Sequence, residues 1–269
     1  MSTWILLRGL TREARHWGAF PALFCQRLDA LPAALGLTLL ELPGNGKERA
    51  RRAPLSVPEM MAWLRSSAAE QGLRPPYRVL AMSLGGMVAT AWAQQHSEEI
   101  ERLVLINTSM QPFCSMPERL RPTAWPAMVC LAAKWGNAQE CERIIHDLTC
   151  KRRNTVGDDM ARWIEIRRSA PVSAVNGLRQ LWAAARFSAE LEAPGCPTLL
   201  LSSALDDLVN PICSTRIAAR WGATHAVHPW AGHDLPHDDP QWTCKTVVDW
   251  LAAVDDRRAT RREVDVAVL

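Results

Sequence analysis

The sequence predicts an α/β protein: a mostly parallel, doubly wound sheet of about six strands, with a helical lid inserted late in the chain. Three observations carry this. Short continuous apolar runs such as Leu103-Val104-Leu105-Ile106 recur, and such runs suit strands buried on both faces of a parallel sheet. Stretches of helical length separate them, as strand–helix–strand units require. One long stretch, 112–190, breaks the alternation and carries no strand pattern.

Taken in order, strands are expected over 3–7 and 37–41, followed by a helix over 57–71. A third strand over 77–82 runs into a helix over 85–96, and a fourth strand covers 103–107. Residues 112–190 hold Trp125, Trp135, Trp163 and Trp182 within amphipathic helical patterns such as 158–168, and read as a lid over one end of the sheet. Strands over 198–202 and 225–229 complete the set. After Trp250 the run Asp255-Asp256-Arg257-Arg258-Ala259-Thr260-Arg261-Arg262 has balanced charge and little to bury, which predicts a frayed or disordered tail. The division is thus a core over 1–111, a helical cap over 112–190, the second part of the core over 191–254, and a tail over 255–269. No internal repeat is found.

The chain has 269 residues, 48% of them hydrophobic, and a net charge of +3. That charge is too small to argue for nucleic acid or a membrane surface, and no nucleic-acid motif is found. The first residues lack a basic segment followed by an apolar stretch, so no secretory signal is expected. No uncharged run approaches the roughly 18 residues needed to span a bilayer. Eight cysteines lie scattered, with no C-x-x-C pair and no close Cys/His spacing, so free thiols in a reducing cytoplasm are expected.

The chemistry concentrates at Val79-Leu80-Ala81-Met82-Ser83-Leu84-Gly85-Gly86-Met87. A buried strand runs into a serine, two glycines and a helix, the arrangement of a nucleophile elbow. Strand and helix approach closely there, so small residues are needed two before and two after the serine; Ala81 and Gly85 fill those places. A serine hydroxyl needs a base within reach. His233, in Trp230-Ala231-Gly232-His233-Asp234, combines a preceding glycine with a strand-end position; His237 is the reserve. The base needs a carboxylate to hold its tautomer, and Ser203-Ala204-Leu205-Asp206-Asp207 follows another strand and offers two. Asp206 is preferred, with Asp207 the alternative, unless both merely cap the helix near Pro211. The oxyanion donors are expected to be the backbone N–H groups of Leu84 and of Leu10, the latter in the loop Leu7-Arg8-Gly9-Leu10-Thr11. Arg8 has two readings, a contact for a substrate carboxylate or a brace for that loop.

These residues, in the order Ser, Asp, His, resemble the α/β-hydrolase superfamily over nearly the whole chain to about Trp250. The loop at Gly9, the turn Glu41-Leu42-Pro43-Gly44-Asn45-Gly46 and Gly232-His233 stand at familiar stations. Within the superfamily the chain is most similar to small capped carboxylesterases of the pimeloyl-acyl-carrier-protein methyl esterase type. It departs from the usual pattern in carrying Arg8 where histidine is common, Glu41 for aspartate, and Ala81 for glycine, and in lacking a leading β-hairpin. The resemblance implies a serine esterase with Ser83, Asp206 and His233 as triad, Leu10 and Leu84 as oxyanion donors, a small ester or acyl substrate, and no metal or organic cofactor. Dehalogenation and epoxide opening on this fold use an aspartate nucleophile, which Ser83 argues against; thioester, amide and carbon–carbon hydrolysis use the same triad. Residues 112–190 carry twelve Lys/Arg and eight Asp/Glu, a face that would steer an acidic acyl carrier protein or be an ordinary solvated surface. A non-catalytic ligand-binding protein of the same fold is the reading from another class.

Overall fold

The central apolar runs become strands buried on both faces, while the two strands at the sheet edges stay partly exposed. In the computed structural model, which describes residues 3–29 and 36–267, the strands are β1 (Thr3–Leu7), β2 (Gly36–Leu40), β3 (Tyr77–Met82), β4 (Ile100–Ile106), β5 (Thr198–Ser203) and β6 (Thr224–His228). All neighbours pair in parallel, in the order β2-β1-β3-β4-β5-β6. The expected strands all occur, β1 and β3 with the expected ends and the others with ends shifted by at most three residues; β4 starts early, at Ile100.

Alternate side chains enter two separate cores. Ile5, Leu7, Val79, Ala81, Leu103 and Leu105 face one side. There they meet α2 (Val57–Glu70), α3 (Leu84–Gln95) and α9 (Ile212–Trp221). Trp4, Leu6, Leu80, Met82, Val104 and Ile106 face the other, against α1 (Phe20–Leu28) and α11 (Pro240–Ala267). Burial of this kind is worth about 1.5–3 kcal/mol for each large apolar side chain, and it explains why the runs have no polar face. β1 lies between β2 and β3, so the chain reverses its direction of travel across the sheet there. In such sheets the crevice beyond the strand C-termini at the reversal is where ligands bind.

Between β4 and β5 come five helices: α4 (Met116–Arg119), α5 (Trp125–Ala133), α6 (Ala138–Thr149), α7 (Val156–Ser169) and α8 (Ala174–Arg186). Among the described residues this stretch has no strand, only an isolated bridge from Gln111 to Ser188. Two buried amides dock α8 on the loop after β2. Asn176 accepts from Ala53 N–H at 2.9 Å and donates to Arg51 O at 3.0 Å. Gln180 donates to Pro43 O at 3.0 Å and Asn45 Oδ1 at 2.8 Å, and accepts from Thr11 N–H at 2.9 Å. A last short helix, α10 (Leu235–Asp238), precedes α11.

α11 runs on through 255–267, the stretch expected to be a frayed or disordered tail, as far as Ala267. Its arginines, alanines and glutamate are good helix formers, and Asp255 anchors the start with an ion pair of 2.6 Å to the buried Arg102. Among the described residues no helix is long and apolar enough to cross a membrane.

Candidate active site

Ser83 follows the last residue of β3 and precedes α3, with φ 53° and ψ −123°. This left-handed conformation is rare for a residue with a Cβ and costs on the order of 1–3 kcal/mol. Hydrogen bonds hold it: Ser83 N–H donates to Ile106 O at 3.0 Å, and its carbonyl accepts from Met87 N–H at 3.2 Å and Thr108 Oγ1 at 2.8 Å. The close approach expected at the turn is present. A Cβ on Gly85 would stand 2.5 Å from Arg8 O and 2.8 Å from Leu7 O. On Gly9 it would stand 2.9 Å from Ser83 Cβ. Glycine is therefore required at both places, and the loop after β1 is pressed against the serine.

His233 lies five residues past β6 and is buried. Its Nδ1 meets Asp206 Oδ2 at 2.7 Å. The other carboxylate oxygen, Asp206 Oδ1, accepts from the backbone N–H groups of Leu208 at 2.8 Å and Val209 at 2.9 Å. Asp206 is thus oriented from one side by its own loop and from the other by the imidazole. Asp207 turns outward, half exposed, to pair with Lys151. The α9 start is capped by Asn210, whose Oδ1 accepts from Ile212 N–H at 3.1 Å. His237 points elsewhere, its Nε2 3.1 Å from Asp159 Oδ2.

Several bracing residues carry no sequence motif. Asn107, at the end of β4 with φ 46°, donates through Nδ2 to His233 O at 2.8 Å and accepts from Ser203 N–H at 2.9 Å. It ties the strand ends to the histidine loop. Arg8 is buried and grips Asp234 with both terminal nitrogens, at 3.0 and 2.5 Å, while its guanidinium stands 4.8 Å from the Trp17 ring. This pairing braces the loop, and Arg8 also lines the cavity at Ser83. Burial would raise the Asp234 carboxyl, but the Arg8 charge and hydrogen bonds outweigh it and hold the pKa at about 2. Gly232 is packed against the helical insertion: a Cβ there would stand 2.7 Å from Thr149 O, which also accepts from Asp234 N–H at 2.8 Å.

Ser83 and His233 line one cavity of about 150 Å³, together with Leu10 and Leu84. The core contributes Met82 and Met87, and the 112–190 stretch contributes Met116, Leu120, Met128, Leu148 and Leu181. The wall is apolar and rich in thioethers, which adapt to flexible apolar ligands. Met110 sits in the core, Trp125 is half exposed, and Trp163 is buried with Cys150 and Ile166.

A family model described as the alpha/beta hydrolase family matches residues 4–246. Over 222 residues the chain is 30% identical to a pimeloyl-[acyl-carrier protein] methyl ester esterase of Aromatoleum aromaticum, covering 77% of this chain and 82% of the relative. A protein of the same name from Chromobacterium violaceum is 27% identical over 110 residues, 41% of this chain and 38% of the relative. Among solved structures, a thermophilic esterase from Thermogutta terrifontis superposes with a TM-score of 0.72 at 21% identity, covering 94% of this chain and 90% of that one. The enol-lactonase from Burkholderia xenovorans LB400 gives 0.70 at 20% identity, covering 94% and 92%. With the all-parallel sheet, the serine turn and the strand-end loops in their places, the family match over most of its length makes this chain a member of the α/β-hydrolase family.

Proposed function

We propose that the protein is a serine esterase that cleaves a carboxylic ester through an acyl-enzyme, with Ser83 as nucleophile, His233 as base and Asp206 as the orienting acid. The observation that carries this reading is the left-handed Ser83 facing the same apolar cavity as His233, whose far nitrogen is held by Asp206 at 2.7 Å. His233 takes the Ser83 proton as Ser83 Oγ attacks the ester carbonyl. The developing oxyanion accepts from the Leu10 and Leu84 backbone N–H groups, each worth about 3 kcal/mol of transition-state stabilisation. His233 returns its proton to the leaving alcohol, then activates the water that cleaves the acyl-enzyme. In this reading the five helices over 112–190 act as a lid, supplying most of the acyl wall and excluding water from the serine.

The test is labelling by a fluorophosphonate, located by mass spectrometry. Modification confined to Ser83, absent in Ser83→Ala, is expected. A folded protein that takes no label would overturn the esterase reading in favour of a binding role.

The relatives' names favour a finer reading, an ester borne by an acyl carrier protein. The insertion carries the net positive charge such an acidic carrier would meet, and Arg162 and Arg168 are exposed on α7. Lys151 and Arg153 are already engaged, by Asp207 and by Asp147 at 3.0 Å. Raising salt, or reversing charge at Arg152 and Arg153, is expected to lower kcat/KM for a carrier-linked ester and leave a short free ester unaffected. Equal insensitivity of both substrates would remove the carrier from the proposal.

A further inference from the structure

Away from the serine, three donor side chains meet where α6 ends and α10 begins. His146 lies in the last turn of α6 and Cys150 caps that helix. Four residues apart, they share one helical face. His237 arrives from α10, just beyond the His233 loop. One donor atom from each of the three lies within 4.8 Å of the others. His146 is 1% exposed and Cys150 fully buried. Both ring nitrogens of His146 lack a hydrogen-bond partner, whereas buried polar atoms nearly always have one. Asp159 lies behind them rather than among them: its Oδ2 is hydrogen-bonded to His237 Nε2 at 3.1 Å and to Thr155 Oγ1 at 2.6 Å, and stands 3.6 Å from His146 Nε2, too far for a hydrogen bond.

We propose that His146, Cys150 and His237 bind a divalent, borderline-soft cation of the zinc class. Two imidazoles and one thiolate are donors such a cation prefers, and the Asp159 carboxylate bonded to His237 orients that ring from behind. The Trp163 ring, 5.3 Å from the His146 ring and 5.2 Å from the His237 ring, closes the apolar side. The site is separate from the serine chemistry and stands whether or not the esterase reading holds. Its role is to clamp α6 of the insertion to α10, which follows the His233 loop. His146-x-x-x-Cys150 is thus a close Cys/His spacing whose third donor, His237, comes from α10, beyond β5 and β6 along the chain.

The test is titration of the metal-free full chain with Co²⁺. One equivalent is expected to produce the intense visible bands of tetrahedral cobalt together with a sulfur-to-cobalt charge-transfer band, both removed by Zn²⁺. Cys150→Ser should abolish the charge-transfer band and His237→Ala should weaken binding at least tenfold. Cys141→Ser, a buried cysteine of the same helix bonded instead to Lys134 O, should change neither. Zn²⁺ should also raise the unfolding midpoint of the natural chain but not of Cys150→Ser. No charge-transfer band, or one that survives in Cys150→Ser, would overturn the assignment. If Cys150→Ser does not fold, Asp159→Asn takes its place, and an affinity within about twofold of the natural chain would be equally fatal, since loss of a carboxylate at or beside a metal costs about 10–100-fold.

Discussion

At Ser83 a single backbone angle and three hydrogen bonds hold the hydroxyl above the sheet, and the neighbouring carboxylates show how far one residue of register matters. Asp206 Oδ2 reaches His233 while Asp207 turns out to Lys151. On the acyl-enzyme reading, Asp206→Asn should lower kcat by about 10⁴-fold, because the amide favours the wrong imidazole tautomer. Asp207→Asn should stay within about threefold, since half-exposed pairs of that kind are worth about 0–1 kcal/mol. Ester hydrolysis rates of the two variants, measured side by side, check the assignment; the opposite ranking would transfer the role to Asp207. Ser83, Asp206 and His233 were legible because each sits in a short local signature. Asn107 was not, since an asparagine after an apolar run says nothing about whose carbonyl it will meet.

Among the elements, α8 shows how the insertion reaches the chemistry. Gln180 is fully buried on it and bonds at once to Thr11 N–H, Pro43 O and Asn45 Oδ1. Thr11, held with φ 56°, follows the expected oxyanion donor Leu10. Gln180→Ala strands three buried polar groups, each costing about 1–3 kcal/mol when left unpaired. Unfolding in urea should register a loss of that order. With a short ester, kcat should fall by about tenfold or more as the Leu10 loop loosens, while KM moves little. An unchanged kcat in a destabilised protein would make Gln180 purely structural. The strands were readable because burial on both faces forces continuous apolar runs. The continuation of α11 beyond Asp255 was not, because a run of balanced charge with little to bury suits a solvated helix and a loose tail alike.

Across the whole molecule, the β1 end and the histidine loop are joined by the buried pair Arg8–Asp234, and the joint has a defined pH window. The folded Asp234 pKa of about 2 lies below its ordinary value of 3.8. The ionised form is therefore favoured in the folded state. The corresponding stability, about 2 kcal/mol, is fully present above pH 4 and is lost as pH falls toward 2. Asp234→Asn leaves Arg8 buried without its partner and should cost about 3–5 kcal/mol near neutrality. The gap between the two proteins should narrow in acid, as seen in unfolding midpoints at pH 7, 5 and 3. A gap that is constant with pH would mean the carboxylate charge contributes nothing to that joint.

The sequence by itself determined the class of fold, the six strands, the serine turn and the strand-end loops that carry His233 and the two candidate carboxylates, because these depend on local periodicity and on sterics within a few residues. Only the tertiary structure decided the order β2-β1-β3-β4-β5-β6, which of Asp206 and Asp207 meets His233, the pairing of Arg8 with Asp234, and the meeting of His146, Cys150 and His237. Each of these joins groups far apart along the chain, and what a buried polar side chain contributes is set by the partner that packing brings to it.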